Sequence, residues 1–125
     1  MTALLVLSLF LAACAGGPDV RPYEATGYMT EDEEVRFGHY VDAEVTHQFL
    51  VLDRKDITGA VNEIGQSLAK VSHRPELKYT FKVLNSSQVN AFAGPGGYLY
   101  VTTGLLAELG SKDELAAVLA HEIAM

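Results

Sequence analysis

Val89-Asn90-Ala91-Phe92-Ala93-Gly94-Pro95-Gly96-Gly97-Tyr98-Leu99-Tyr100-Val101-Thr102-Thr103-Gly104-Leu105-Leu106 is the stretch that decides the fold. Val89 to Ala93 and Tyr98 to Thr102 are β-prone runs, and the Gly-Pro-Gly-Gly between them is strong turn chemistry, so the two runs are predicted to pair as a hairpin. Thr103-Gly104 breaks the second run. Leu105 to Leu109 then reads as a short helical segment closed by Gly110.

Immediately downstream, Ser111-Lys112-Asp113-Glu114 has the S-x-x-E form of a capping box, with two acids where a helix dipole favours them. A helix is expected to start there and run to the end of the sequence. Leu115, Leu119 and Ile123 recur at four-residue spacing with Val118 beside them, which makes a core-facing stripe. His121 lies off the centre of that stripe. The last five residues, His121-Glu122-Ile123-Ala124-Met125, follow the H-E-x-x-H pattern of zinc proteases except in the final position.

The spacing of that pattern has a geometric reason. Residues four apart on a helix differ by only about 40° of rotation, so two imidazoles placed that way close on one metal ion. The glutamate after the first histidine is then set to act as general base on metal-bound water, whose pKa zinc lowers towards about 7. His121 is the candidate metal ligand and Glu122 the candidate catalytic base. A His-Glu pair alone is common in solvated helices; the hairpin and capped helix before it supply the specificity. Met125 offers a soft, neutral thioether, whereas zinc takes thiolate, imidazole or carboxylate.

The hairpin run, together with Asp113-Glu114-Leu115-Ala116-Ala117-Val118-Leu119-Ala120-His121-Glu122, resembles the bacterial zinc metallopeptidases related to HtpX and the CAAX prenyl protease, peptidase family M48. The likeness reaches back weakly to about Thr30. It implies one zinc ion in the complete family domain, His121 as first ligand and Glu122 as base. It also implies that Asn90-Ala91-Phe92 lies beside the active-site cleft, where an extended substrate peptide adds to a sheet edge through backbone hydrogen bonds. Met125 stands where the family has its second histidine, and the family's third ligand is a glutamate on a later helix. The 125 residues are therefore expected to be the N-terminal part of such a domain, to bind zinc weakly and to be inactive as they stand. Part of the terminal stripe is expected to lack a covering partner, leaving the chain marginally stable.

Upstream of the hairpin, Lys78 to Leu84 alternates Tyr79, Phe81 and Val83 with Thr80, Lys82 and Leu84, a strand with at least one buried face, and Asn85-Ser86-Ser87 is a turn. Before it, Thr30 to Glu33 is another capping box. Val35, Phe37, Val41, Val45 and Phe49 mark an amphipathic helix after it. A second helix begins at Asp53 or Asp56, with Ile57, Val61, Ile64, Leu68 and Val71 recurring in steps of four and three, and Pro75 lies beyond its end. His39, His47 and His73 read as structural histidines.

The first residues concern location. Ala3 to Ala13 is an eleven-residue apolar run, too short to span a bilayer and suited to the h-region of a signal peptide. Leu11-Ala12-Ala13-Cys14 resembles a bacterial lipobox, in which the leader is cut before a cysteine that carries lipid, although no positive n-region precedes the apolar run. Cys14 is the single cysteine, so no internal disulfide is possible and lipidation is the better use of its sulfur. The expected organisation is a signal peptide over 1–13, a lipidated cysteine and flexible tether over 14–29, and the N-terminal part of a metallopeptidase domain over 30–125.

With 9 Lys and Arg against 16 Asp and Glu, the net charge is -7, which argues against nucleic acid and against electrostatic binding of anionic head groups. The expected fold is α+β: two N-terminal helices, a small mostly antiparallel sheet with the hairpin, and a C-terminal active-site helix, an incomplete zincin-like domain. The expected function is a zinc metalloendopeptidase of envelope protein quality control. It would be lipid-anchored in the bacterial envelope and face the periplasm, with the outer membrane slightly preferred because Ala15 follows the cysteine. Its partners would be a peptide or unfolded envelope protein and, through the anchor, the membrane. The alternative is a non-catalytic envelope lipoprotein that binds peptides through the hairpin edge.

Overall fold

A computed structural model describes residues 28–125. The expected signal peptide, the expected lipidation of Cys14 and most of the expected tether lie outside the described residues. The chain forms α1 (Glu31–Gln48), α2 (Lys55–Ala69), β1 (Thr80–Leu84), β2 (Ala91–Ala93), a single 3-10 turn at Pro95–Gly97, β3 (Tyr98–Thr102), α3 (Thr103–Glu108) and α4 (Lys112–Ala124). The α+β class and the hairpin are as the sequence implies, in an arrangement consistent with part of a zincin-like domain.

The sheet has the order β1-β3-β2. β2 pairs antiparallel with β3, with Phe92 opposite Tyr100, whereas β1 pairs parallel with β3 from Thr80↔Tyr98 to Leu84↔Thr102. The sheet is therefore mixed rather than mostly antiparallel. A short turn fixes an antiparallel neighbour locally, but the direction of β1 depends on the crossover through residues 85–90, whose residues carry no directional signal. A bridge from Val51 to Leu84 covers the outer end of β1, which leaves β2 as the open edge.

Alternation of side chains divides the sheet into two faces. Phe81, Val83, Leu99 and Val101 face α2 and α4 and pack with Val61, Leu115, Leu119 and Ile123. Leu115, Leu119 and Ile123 are only 7%, 0% and 8% exposed. These three residues of the α4 stripe thus have their cover in α2 and the sheet, whereas Val118 beside them is only half-buried. On α2 the stripe stops at Leu68, because Val71 lies past the helix end and is 82% exposed.

The opposite face of the sheet carries α1, and that contact is mostly polar. Gly38 is the single buried residue of α1, and Phe37 and Tyr40 point outward and stack on each other. Asp42 instead accepts from Lys82 Nζ at 2.8 and 2.6 Å and from the Tyr100 hydroxyl at 2.9 Å. Burial, and after it the bond to Asp42, pushes the Tyr100 hydroxyl pKa upward. Tyr98 shares a hydrogen bond with His39 Nδ1 at 2.9 Å.

Both predicted capping boxes lie at helix starts, but only one closes. Thr30 and Glu33 cap each other across the first turn of α1. At α4 the Ser111 hydroxyl accepts from the Glu114 N–H, while the Glu114 carboxylate takes the N–H of Gly110 at 2.6 Å instead of that of Ser111. Neither Asp53 nor Asp56 caps α2: Arg54 occupies that position without a side-chain capping bond, and Asp56, in the first turn, accepts from the Arg54 guanidinium instead.

Candidate active-site cleft

The Gly-Pro-Gly-Gly turn sets where the edge strand lies. Gly96 and Gly97 have φ of 74° and 83°, the left-handed region that glycine tolerates without a Cβ clash. A Cβ on Gly97 would lie 2.4 Å from the Lys78 carbonyl oxygen, so the turn sits directly on the segment leading into β1. From the other side α1 clamps it. Glu34 accepts the Gly96 N–H at 3.1 Å and both terminal nitrogens of Arg74 at 3.1 and 3.0 Å. Hydrogen bonds from Arg74, opposed by partial burial and aided by the Gly96 N–H, hold the Glu34 carboxyl below its ordinary pKa.

At the other end of β2, Thr102 ties the strand to α3. Its hydroxyl accepts from the N–H groups of Asn90 and Leu105, both at 3.1 Å, and donates to the Gln88 carbonyl. One side chain thus caps α3 and fixes the entry to β2. The Thr102 N–H donates to the Asn90 carbonyl and the Gly94 N–H to that of Tyr98, so by antiparallel alternation Phe92 and Tyr100 exchange the intervening pair. The backbone groups of Ala91 and Ala93 consequently point to the open edge.

Against that edge runs α4. Asn90, Ala91, His121 and Glu122 line one open cleft of about 450 Å³, with Val118 and Leu105 among its walls. His121 is exposed and Glu122 half-buried. Phe92, the third residue of the expected substrate strand, does not line this cleft: its ring stacks on Tyr100 at 4.8 Å on the α1 face of the sheet. Period-two alternation separates it from Ala91. Glu34 and Arg74, which hold the turn, escape a reading of the sequence; their partners are 40 and 62 residues away and leave no local signal.

Zinc needs at least three protein ligands, and the donors here fall short of that. His121 is the one imidazole on the cleft, position 125 carries a thioether, and among the described residues no group of three or more His, Cys, Asp or Glu is placed to hold a metal ion. The residues present do not by themselves fit a zinc site.

Comparison with known proteins bears on residues beyond the motif. The model described as peptidase family M48 matches residues 56–124, more than half of the chain. The putative β-barrel assembly-enhancing protease of Vibrio cholerae is 29% identical over 96 residues, 77% of this chain and 20% of that protein. The β-barrel assembly-enhancing protease of Escherichia coli K12 is 23% identical over 126 residues, 98% of this chain and 26% of that protein. The mitochondrial metalloendopeptidase OMA1 of Schizosaccharomyces pombe is 39% identical over 64 residues, covering 51% and 19% respectively. The chain spans about a fifth to a quarter of the length of these relatives.

Proposed function

The chain belongs to peptidase family M48, and from that membership we propose that its residues supply the substrate strand and active-site helix of a zinc-dependent metalloendopeptidase. The observation that carries this reading is the cleft in which His121 and Glu122 on α4 face the open edge of β2. An extended peptide adds to the outward backbone groups of Ala91 and Ala93, beside Glu122. Asn90 and Ala91 contact it from the cleft, and Phe92 supports the strand from behind by stacking on Tyr100. His121 takes the role of first zinc ligand and Glu122 that of general base, as the family motif assigns them. No catalytic step is routed through the described residues alone, because their donors do not complete a zinc site.

The remaining proposals concern setting. Relatives named for β-barrel assembly support an envelope role in protein quality control, acting on peptides or unfolded proteins. The apolar run before Cys14 supports a periplasm-facing lipid anchor, with the outer membrane slightly preferred. No described helix is long and apolar enough to cross a membrane. Met125 favours a second reading, in which these residues bind peptide on the β2 edge without cleaving it.

Replacing Met125, which is exposed, by histidine tests the metal half of the proposal. Met125→His is expected to bind zinc more tightly than the original chain in titration with a chromophoric indicator, yet still weakly because a third protein ligand is lacking, and a further His121→Ala change removes the gain. Stoichiometric zinc on the unaltered chain, or no gain in zinc affinity from Met125→His, would contradict the assignment of this helix face.

A further inference from the structure

α1 presents its aromatic side chains outward. Gly38 is the one buried residue of the helix, and Tyr40, about 200° further round, points away from the sheet. Phe37 lies about 60° from Tyr40 on the same outer side, and the two rings stack with centroids 6.4 Å apart. They are 44% and 63% exposed, and Tyr28 and Met29, which lead into the helix, are 88% and 46% exposed. The sheet holds α1 through Glu34, His39 and Asp42 instead. Among the described residues, nothing buries this aromatic face.

Its position in the chain is one guide to its partner. Tyr28 is 14 residues from Cys14, so a lipid on that cysteine keeps the start of α1 within at most about 50 Å of a bilayer. Attachment over that length sets an effective concentration of roughly millimolar order, at which a weak contact is enough. Its chemistry is the other guide. Aromatic rings, and tyrosine with its polar tip above all, suit the boundary between head groups and acyl chains. Around the two rings the outer face carries Glu33 and Glu44 together with Arg36 and His47, all exposed. Such mixed charge matches a zwitterionic head group, whose phosphate and ammonium each find a partner. An anionic surface would instead meet the acidic first turn of α1 and a chain of net charge -7.

Resting on the reading of Cys14 as a lipid anchor, we propose that the outer face of α1 lies on a zwitterionic phospholipid surface, with Phe37 and Tyr40 set into it. The sheet then stands between the bilayer and α4. The cleft between Ala91 and Glu122, on the α4 side of the sheet, consequently opens away from the membrane and takes peptides from the aqueous side.

The chain has no tryptophan and one cysteine, so an introduced indole and a coupling at Cys14 are each unique. The full chain carrying Tyr40→Trp, or Ala117→Trp at the exposed side of the cleft, is joined through Cys14 to a maleimide lipid. The vesicles contain phosphatidylethanolamine and phosphatidylcholine with brominated acyl chains. Because the coupling supplies the anchor, the optical result bears on α1 alone. Relative to unbrominated vesicles, the emission of Tyr40→Trp is expected to fall roughly twofold or more, the mark of a ring buried at the acyl boundary, and that of Ala117→Trp to change little. Adding Phe37→Ser to Tyr40→Trp is expected to reduce the quenching. Equal quenching at both positions, or none at position 40, would overturn the proposal. A blue-shifted but unquenched emission at position 40 would overturn it too, by showing that protein, such as a second copy of this chain, covers α1. Replacing half the lipid by phosphatidylglycerol is expected to lower the quenching at position 40; a rise would overturn the zwitterionic assignment. Labelled palmitate taken up by the chain in bacterial cells and lost in Cys14→Ser tests the anchor separately. Its absence would overturn the anchor reading and the cellular orientation that rests on it.

Discussion

Replacing Gly38 by alanine should weaken this protein, although the same change at Gly59 should strengthen it. Gly38 lies where α1 crosses the Pro95–Gly97 turn, and a Cβ there would sit 2.4 Å from the Pro95 carbonyl oxygen and 3.0 Å from its carbon. Both atoms are backbone, so no rotamer relieves the clash; α1 and the turn must separate by about 1 Å to reach ordinary contact, at an overpacking cost of about 1–3 kcal/mol. That displacement also stretches the Gly96 N–H bond to Glu34, adding about 1 kcal/mol. Alanine recovers only about 0.8–1 kcal/mol of helix propensity. The net expectation for Gly38→Ala is a loss of about 1–3 kcal/mol. Gly59, in α2, has nothing within 4 Å of its Cβ position, so Gly59→Ala should gain about 1 kcal/mol. Urea unfolding of both variants monitored by circular dichroism measures the difference. A Gly38→Ala protein as stable as the original would refute the claim that α1 is seated through this contact. Hydrogen exchange adds a local readout, since the Gly96 amide should lose protection in Gly38→Ala and keep it in Gly59→Ala.

The polar contacts lead to three further outcomes. The depressed pKa of Glu34 contributes stability that is present above the unfolded carboxylate value of 4.5 and is lost as the pH falls through the lower folded value. The urea midpoint should therefore drop in that acid range, and Glu34→Gln should be weaker at neutral pH but flatter below it. Asp42→Ala leaves the half-buried Lys82 ammonium and the buried Tyr100 hydroxyl without their acceptor and should cost about 2–3 kcal/mol in denaturant unfolding. A Lys82→Met change on that background should recover part of the loss; no recovery would show that the two side chains are not coupled. Thr102→Val strands the Asn90 and Leu105 N–H groups and should cost about 1–3 kcal/mol, with amide exchange fastest at the start of α3.

The parts of the fold that are legible in the sequence are those whose causes are local. The glycine turn, the caps at Thr30 and Ser111 and the stripe of α4 each depend on residues within one or two turns of one another, and each is where the pattern puts it. The direction of β1 and the seating of α1 depend on distant partners. Val35, Phe37, Val41 and Val45 suggest an apolar seam on α1, yet the helix is anchored through Glu34, Asp42 and His39 to residues 40 or more positions away. For the site, the H-E pair identifies the helix and the hairpin identifies the strand. Which face each strand residue takes is a matter of alternation, and that separates Phe92 from Ala91.

The open edge of β2 is only three residues long, bounded by the Gly94-Pro95 turn on one side and by Asn90, bonded to Thr102, on the other. An unpaired strand edge invites a second copy of the same chain as readily as it invites a substrate. Its brevity allows one short extended segment to pair but gives two molecules too few hydrogen bonds to form a continuous sheet. The same geometry that exposes the strand to peptides thus protects concentrated protein from growing edge to edge into fibrils.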